Sequence, residues 1–406
     1  MNAQSNQPLG FKEFIAMMAL MMSLVALTID AILPAFGFIQ ATFDISNPQD
    51  LQLIVSLQLL GLGLGQLFFG PISDSFGRKP IIYLGYLVFF IGCIICTQAT
   101  SFEWLLVGRF IQGFGLAAPR VLAMAIIRDQ YAGRSMAQIM SFIMVVFILV
   151  PMLAPILGQG ILLVADWQVI FWAMLVVGII SLVWFGTRQR ETLAPQDKKP
   201  FKFNVLVTTF IEVCRNKVAI GYTLTAGFIS GAFITYLGSA QQIFQLGYEL
   251  EQYFSFYFAG LALAIGLCSF FNGKLVIEKG MQYMVVRAIV TLLTCSVIFI
   301  VIAASWQGMP PLLWTTIYLV LAFGCIGVLF GNLNALAMET LGHLAGMGAA
   351  IVGSLATLLS AVIAIVAGKV LTNDMSGLGI IFALTAVVSG MIVFYIERDR
   401  ATQVVG

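Results

Sequence analysis

Twelve apolar runs, each near the roughly 20 residues that carry a helix across a bilayer, constrain this chain more than any other feature. They cover residues 14–37, 51–70, 80–98, 102–126, 136–158, 167–186, 218–238, 253–272, 282–303, 311–336, 345–370 and 377–396. Hydrophobic residues make up 60% of the 406 positions and charged residues 9%. A water-soluble domain, with roughly 25% charged residues, cannot hide so much apolar surface. In lipid each run must satisfy its own backbone polar groups, so each is expected to be an α-helix. The expected fold class is an all-α membrane protein. A polar stretch leads directly into a full-length span, which is not the pattern of a cleaved secretory signal.

The net charge of +2 hides a strong asymmetry. If both termini are cytoplasmic, every Lys and Arg falls on an inner segment except Arg109, Arg120 and Lys369. Asp44, Asp50, Glu103, Asp166, Glu249, Glu251 and Asp374 fall on the outer loops. That is the positive-inside distribution. The longest polar stretch, 187–217, separates residues 1–186 from 218–406, with six spans on each side. It is basic, contains Pro195 and Pro200, and has an amphipathic segment near 203–214. It reads either as a linker with a helix lying on anionic headgroups or as a mobile connector. The halves repeat a pattern. "GLGQLFFG" (63–70) and "GLCSFFNG" (266–273) each close the second span of their half, and a glycine follows seven residues later, Gly77 and Gly280. Parallel six-span repeats, with a substrate site between them, mark one large class of transporter.

Most other chemistries are poorly supplied. The six cysteines are scattered, and the Cys93–Cys96 pair reads as packing on one helix. His343 is the only histidine, so a metal centre or histidine catalysis is not expected. Gly61, Gly63 and Gly65 lie within a span with no strand before them and read as helix packing, not a nucleotide loop. The expectation is a transporter rather than an enzyme, with no cofactor or nucleic acid. Its partners are the lipid bilayer and a small-molecule substrate, and it works as a monomer. With no ATP-binding motif, the energy is expected from a gradient or from a partner.

Asp30, in "LTIDAILP" (27–34), is the only charged residue between Phe14 and Ile39. Charges at bilayer depth are costly and usually functional. Asp30 and Arg109 each lie seven residues from the outer end of a span, roughly 10 Å deep at 1.5 Å per residue. They are expected to face one cavity and to interact directly or through water and neighbouring polar groups. Either Asp30 takes a proton from outside and releases it inside while substrate competes for the other form, or the two residues are a static pair. Arg120, three turns along nearly the same face, binds an anionic substrate group, balances Asp30 in the inward-facing state, or snorkels to the inner headgroups. Phe233, Tyr236, Asn332 and Asn334, on spans 7 and 10, are candidate substrate contacts because those spans correspond to spans 1 and 4.

Two further motifs read as moving parts. In "GPISDSFGRKP" (70–80), Gly70 and Gly77 permit close packing and a tight turn. Asp74 is expected to face the N-terminus of span 11, and Arg78 and Lys79 to pair with Asp129. Pro151, Pro155 and Gly158, with Gly160, are expected to give span 5 a bent, smooth surface, or reflect the ordinary tolerance of proline in membrane helices.

The loop "GPISDSFGRKP" resembles the signature loop of the major facilitator superfamily. "RFIQGFG" (109–115), with Gln112, resembles that superfamily's motif on helix 4, and "VPMLAPILGQG" (150–160) the helix 5 motif of its drug/proton antiporters. "DAILP" (30–34), "IIRDQYAG" (126–133) and "GNLNALAME" (331–339) resemble the bicyclomycin/chloramphenicol resistance branch. The resemblance covers essentially the whole chain. It implies twelve transmembrane helices in two pseudo-symmetric six-helix bundles, with helices 1 and 4 lining the cavity. It also implies a bacterial inner-membrane exporter of small amphipathic molecules, with the proton as coupling ion. The other readings are transport of an endogenous metabolite such as a siderophore, and a non-transporting receptor or assembly factor.

Overall fold

In a computed structural model that describes residues 10–131, 133–198, 202–250, 253–370 and 374–405, every apolar run becomes a helix. The elements are α1 (Phe11–Asp30), α2 (Phe36–Thr42), α3 (Leu53–Phe76), α4 (Arg78–Thr97), α5 (Phe102–Gln130), α6 (Gly133–Leu162) and α7 (Gln168–Arg188), followed by α8 (Phe203–Arg215), α9 (Lys217–Ala240), α10 (Phe254–Lys279), α11 (Met281–Ser305), α12 (Leu312–Met338), α13 (Ala345–Val370) and α14 (Met375–Val405). Among the described residues, eleven helical segments are long and apolar enough to span a membrane. The 30-residue α6, with a shorter apolar stretch at Leu149–Leu162, completes the twelve. α1 and α2 together make the first span, and α8 is the short helix after the sixth.

Helices run past the apolar limits because the backbone ladder continues into polar residues once it has formed. Thus α3 reaches Phe76 where hydropathy ends near 70. The first span is interrupted. Pro34 has no N–H, so the Asp30 carbonyl loses its i+4 donor. The chain passes through a 3₁₀ turn, Leu33–Ala35, before α2 resumes.

The repeat is visible in the backbone. Gly77 and Gly280 both take positive φ, +107° and +83°, between consecutive helices of their halves. Both positions need a residue without a Cβ. The bundles meet along α3 and α13 on one side and α6 and α10 on the other. The first seam is lined by small residues: Gly63 faces Leu358 of α13, and Ser354 Oγ donates to the Gly63 carbonyl at 2.6 Å.

Glycines also set the inner packing of the first bundle. A Cβ on Gly113 would lie 1.9 Å from the Gln58 carbonyl oxygen of α3, and one on Gly115 2.3 Å from the Phe89 nitrogen of α4. The helix 4 motif therefore lets α5 touch two neighbours at backbone distance. Gly113→Ala must force α3 from α5 at an expected cost of about 3 kcal/mol, the upper end for overpacking. A lowered thermal midpoint in detergent checks this.

Candidate functional site

Asp30 ends α1, and burial leaves it 4% exposed. Among the described residues it makes no hydrogen bond or ion pair. Its carboxyl group sits where the helix breaks, at the negative end of the α1 dipole. A Cβ on Gly158 of α6 would lie 2.0 Å from the Ala31 carbonyl oxygen, so the helix 5 motif lies directly on the break beside Asp30.

The expected direct contact with Arg109 is not formed. Arg109 is fully buried and spends its donors elsewhere: Nε on the Ile54 carbonyl (3.0 Å), Nη2 on the Thr28 carbonyl (3.0 Å) and Nη1 on Gln112 Oε1 (2.6 Å). Its guanidinium lies 5.7 Å from the centre of the Phe171 ring. The matched depths were a sound inference, since Arg109 reaches α1 two residues before Asp30. Arg109 meets α1 at its backbone, and no hydrogen bond or ion pair joins it to the Asp30 carboxyl group. Thr28 is the link, because its carbonyl accepts from Arg109 and its hydroxyl accepts from Gln58 Nε2 at 2.5 Å. Gln112, expected at the substrate cavity, is fully buried and holds Arg109 while its Nε2 points at Cys93 Sγ, 3.1 Å away. It belongs to the core.

Arg120 keeps to the interior but is half-buried, and makes no hydrogen bond or ion pair among the described residues. Accessible surface on α1 recurs at Lys12, Ala16 and Leu20, spaced by one turn, and gives way to burial toward Asp30. On α9 half-buried Ile220, Leu224 and Phe228 follow the same spacing and end at fully buried Tyr236. Both stripes open toward the basic end of the molecule.

Tyr236 is the centre of an aromatic cluster in the second bundle. Its ring meets Phe323 edge-on at 4.7 Å and stacks on Phe258 and Phe233 at 6.1 and 6.2 Å. Phe330 lies 6.0 Å from Phe233. The Tyr236 hydroxyl has no hydrogen-bond partner among the described residues. Asn332 is a correction. It is buried and donates to Asn272 Oδ1 (3.0 Å) and the Val328 carbonyl (2.9 Å), tying α12 to α10 rather than lining a cavity. Exposed Asn334 donates to the Phe330 carbonyl of its own helix.

Hydrogen bonds cross between the bundles at the end away from the basic loops. Gln52 Nε2 donates to Ser239 Oγ (3.3 Å), Gln242 Nε2 to the Pro48 carbonyl, and Ser255 Oγ to the Pro155 carbonyl (3.1 Å). At the basic end Glu13 pairs with Arg188 within the first bundle, and Arg400 with Glu339 and Lys217 with Asp399 within the second.

The loop after α3 is also a closed network. Arg78 Nη1 holds Asp74 Oδ1 (2.5 Å) and Ser73 Oγ (2.6 Å), and its Nε holds Asp129 Oδ2 (3.2 Å). The Arg78–Asp129 pair is as expected. Lys79 is not, since its Nζ donates to the carbonyls of Gly186 (2.9 Å) and Gln189 (2.7 Å) at the end of α7. Asp74 pairs with Arg78 across the turn at Gly77, and no bond from its carboxylate to the N-terminus of α13 is found among the described residues. Gly70 is no tight contact, since its nearest neighbour would be the Ala350 Cβ at 3.6 Å.

A profile of the Major Facilitator Superfamily matches residues 18–365. The chain belongs to the major facilitator superfamily. Within it, the chain is 30% identical over 99% of both chains to the uncharacterized MFS-type transporter YdgK of Bacillus subtilis. It is 31% identical to the bicyclomycin resistance protein homolog of Haemophilus influenzae, over 86% of this chain and 87% of that one. The fold is that of the xylose transporter XylE from E. coli in a partially occluded inward open conformation, with a TM-score of 0.73 at 12% identity over 95% and 97% of the two chains.

One residue of this superfamily member's loop network has no signal in the sequence. Glu191, from the segment after α7, accepts the Arg78 N–H on Oε1 and the Lys79 N–H on Oε2, both at 3.0 Å, and so caps α4 across more than a hundred residues of chain. Partial burial works against its charge. The N–H groups of Leu193, Lys79, Arg78 and Thr192 outweigh that and hold the carboxyl below the ordinary carboxylate range. A Cβ on Gly77 would lie 2.7 Å from Glu191 Oε2, so the positive φ and the cap are one device. Because the folded state lowers the pKa, the cap's contribution is full above the unfolded value, about 4.3, and drains away as pH falls below it. Glu191→Ala is expected to cost about 1 kcal/mol at neutral pH, as loss of an N-cap does. The gap between variant and parent in thermal midpoint should close on acidification.

Proposed function

We propose that the protein is a proton-coupled exporter of small amphipathic molecules, working by alternating access with its basic end in the cytoplasm of a bacterial cell. One observation carries the reading: a buried carboxyl group, without a hydrogen bond or ion pair among the described residues, at the broken end of α1. An isolated buried charge is among the costliest features a fold can hold. A carboxyl group kept in that condition is suited to exchange its proton whenever water reaches it. Family membership supports transport, and a relative named for bicyclomycin resistance supports drugs as substrates. The positive-inside distribution supports the orientation.

The hydrogen bonds that join the bundles at the far end suit an inward-facing carrier. Substrate then enters along the open faces of α1 and α9 and meets Arg120 before the aromatic cluster. Arg120, with no hydrogen bond or ion pair among the described residues, favours a second reading in which the substrate carries an anionic group, as an acidic metabolite does. Proteoliposomes with an imposed pH gradient test both. Drug export predicts accumulation of chloramphenicol driven by the gradient, while the second reading predicts accumulation of organic acids instead. No gradient-driven movement of either removes the proposal.

A further inference from the structure

Among the buried polar groups left without a hydrogen bond at the far end, two belong to different bundles and stand out by their chemistry, an acid and a phenol. Asp30 comes from α1 and the Tyr236 hydroxyl from α9. Each is at least nine-tenths buried, and neither makes a hydrogen bond among the described residues. The turn Leu33–Ala35 that follows Asp30 packs on α9, and a Cβ on Gly37 would lie 3.3 Å from Gln241 Nε2, five residues beyond Tyr236. One turn beyond Tyr236 on the same helix, Ser239 accepts the bond from Gln52 that joins the bundles. Leaving one buried hydroxyl unbonded costs about 1–3 kcal/mol, and here the group able to satisfy it stands unsatisfied as well.

We propose that the Tyr236 hydroxyl is the hydrogen-bond donor that ionised Asp30 takes, directly or through one water, and that this bond latches the bundles at the far end. The proposal rests on the exporter reading and supplies what that reading lacks, a reason why the empty carrier does not slip. An antiporter must forbid one step, the turnover of the carrier with neither proton nor substrate. With Asp30 ionised and the site empty, the latch holds the far end shut. A bound substrate competes for the two groups and frees it. A proton on Asp30 removes the acceptor's charge and frees it too. Both productive transitions are allowed and the wasteful one is blocked.

No other ionisable group takes this role. Arg109 on α5 is committed to Ile54, Thr28 and Gln112. Tyr257 on α10 bonds Thr316. The part of α6 that crosses α1, 149–162, has no ionisable residue, and α7 presents Phe171 and Met174.

The test needs no substrate. Spin labels at the exposed positions Ser46 and Tyr253, one per bundle at the far end, report its opening by pulsed dipolar spectroscopy, with Cys214, Cys268 and Cys295 replaced. The wild type should stay closed at pH 8 and populate an open form at pH 5. Tyr236→Phe keeps every ring contact and loses only the unbonded hydroxyl, so it should fold, and it should populate the open form at both pH values. Asp30→Asn should do the same, and adding Tyr236→Phe to it should change nothing further. A Tyr236→Phe variant that keeps the wild-type pH response overturns the latch. An Asp30→Asn variant that keeps that response overturns Asp30 as the proton carrier, whatever Tyr236 does.

Discussion

Asp30→Asn is expected to abolish gradient-driven transport while leaving the protein folded and inserted. The two side chains have nearly the same shape, and Asp30 has no hydrogen bond or ion pair among the described residues to lose. A neutral amide at a buried site also removes the cost of an unpaired charge. The thermal midpoint should therefore stay level or rise. Export driven by a pH gradient should fall to the level of empty vesicles, and a sensitive strain expressing the variant should gain no resistance. Downhill exchange of substrate, which needs no proton, should persist. A structural ion pair predicts the reverse pattern, with stability lost and coupling kept by whatever protein survives.

Arg109 should show the opposite profile. Its guanidinium fixes the start of α3, the end of α1 and Gln112 at once, in a site with no exposure. Arg109→Ala leaves those acceptors without a donor and opens a void, so a loss of about 4 kcal/mol is expected, near the top of the range for single substitutions. The variant should be poorly expressed and should melt well below the parent. Arg109→Lys retains the charge but not the planar fork that reaches three separate acceptors, and should fall between the two. Quantified membrane expression and a detergent melt distinguish these outcomes from the Asp30 profile.

The contrast between Asp30 and Arg109 also shows what the sequence can convey. Hydropathy located every span, because bilayer thickness and backbone satisfaction leave a chain like this few choices. It singled out Asp30 by its isolation and placed Arg109 at the matching depth. Depth is one coordinate, however. Which way each side chain points depends on helix rotation and on the break at Pro34, and neither is written in periodicity. Glycines were legible as packing residues but not by strength. Gly113 and Gly158 sit against backbone oxygens, whereas Gly70 has ordinary neighbours and Gly160 has none within 4 Å. Asn332 looked like a cavity residue because a polar group in a membrane helix invites that reading, yet its bond to Asn272 makes it a helix clamp.

Long-range polar partners were not legible at all. Glu191 reaches the start of α4, and Gln52 reaches Ser239, each across more than a hundred residues. Nothing local marks either one. Tyr236 was marked only by its place in the repeat, and its unbonded hydroxyl emerges only once the two bundles are assembled.

The central claim is that one buried carboxyl group exchanges protons with the two sides of the membrane in turn. Its most direct test imposes no pH gradient. Proteoliposomes holding a pH-sensitive dye are given a chloramphenicol gradient alone, and the internal pH is followed. The wild type should move protons against the direction of drug flow, and Asp30→Asn should pass drug with no change in pH. Proton movement of wild-type size through Asp30→Asn, or drug flow through the wild type with no proton movement, contradicts the account.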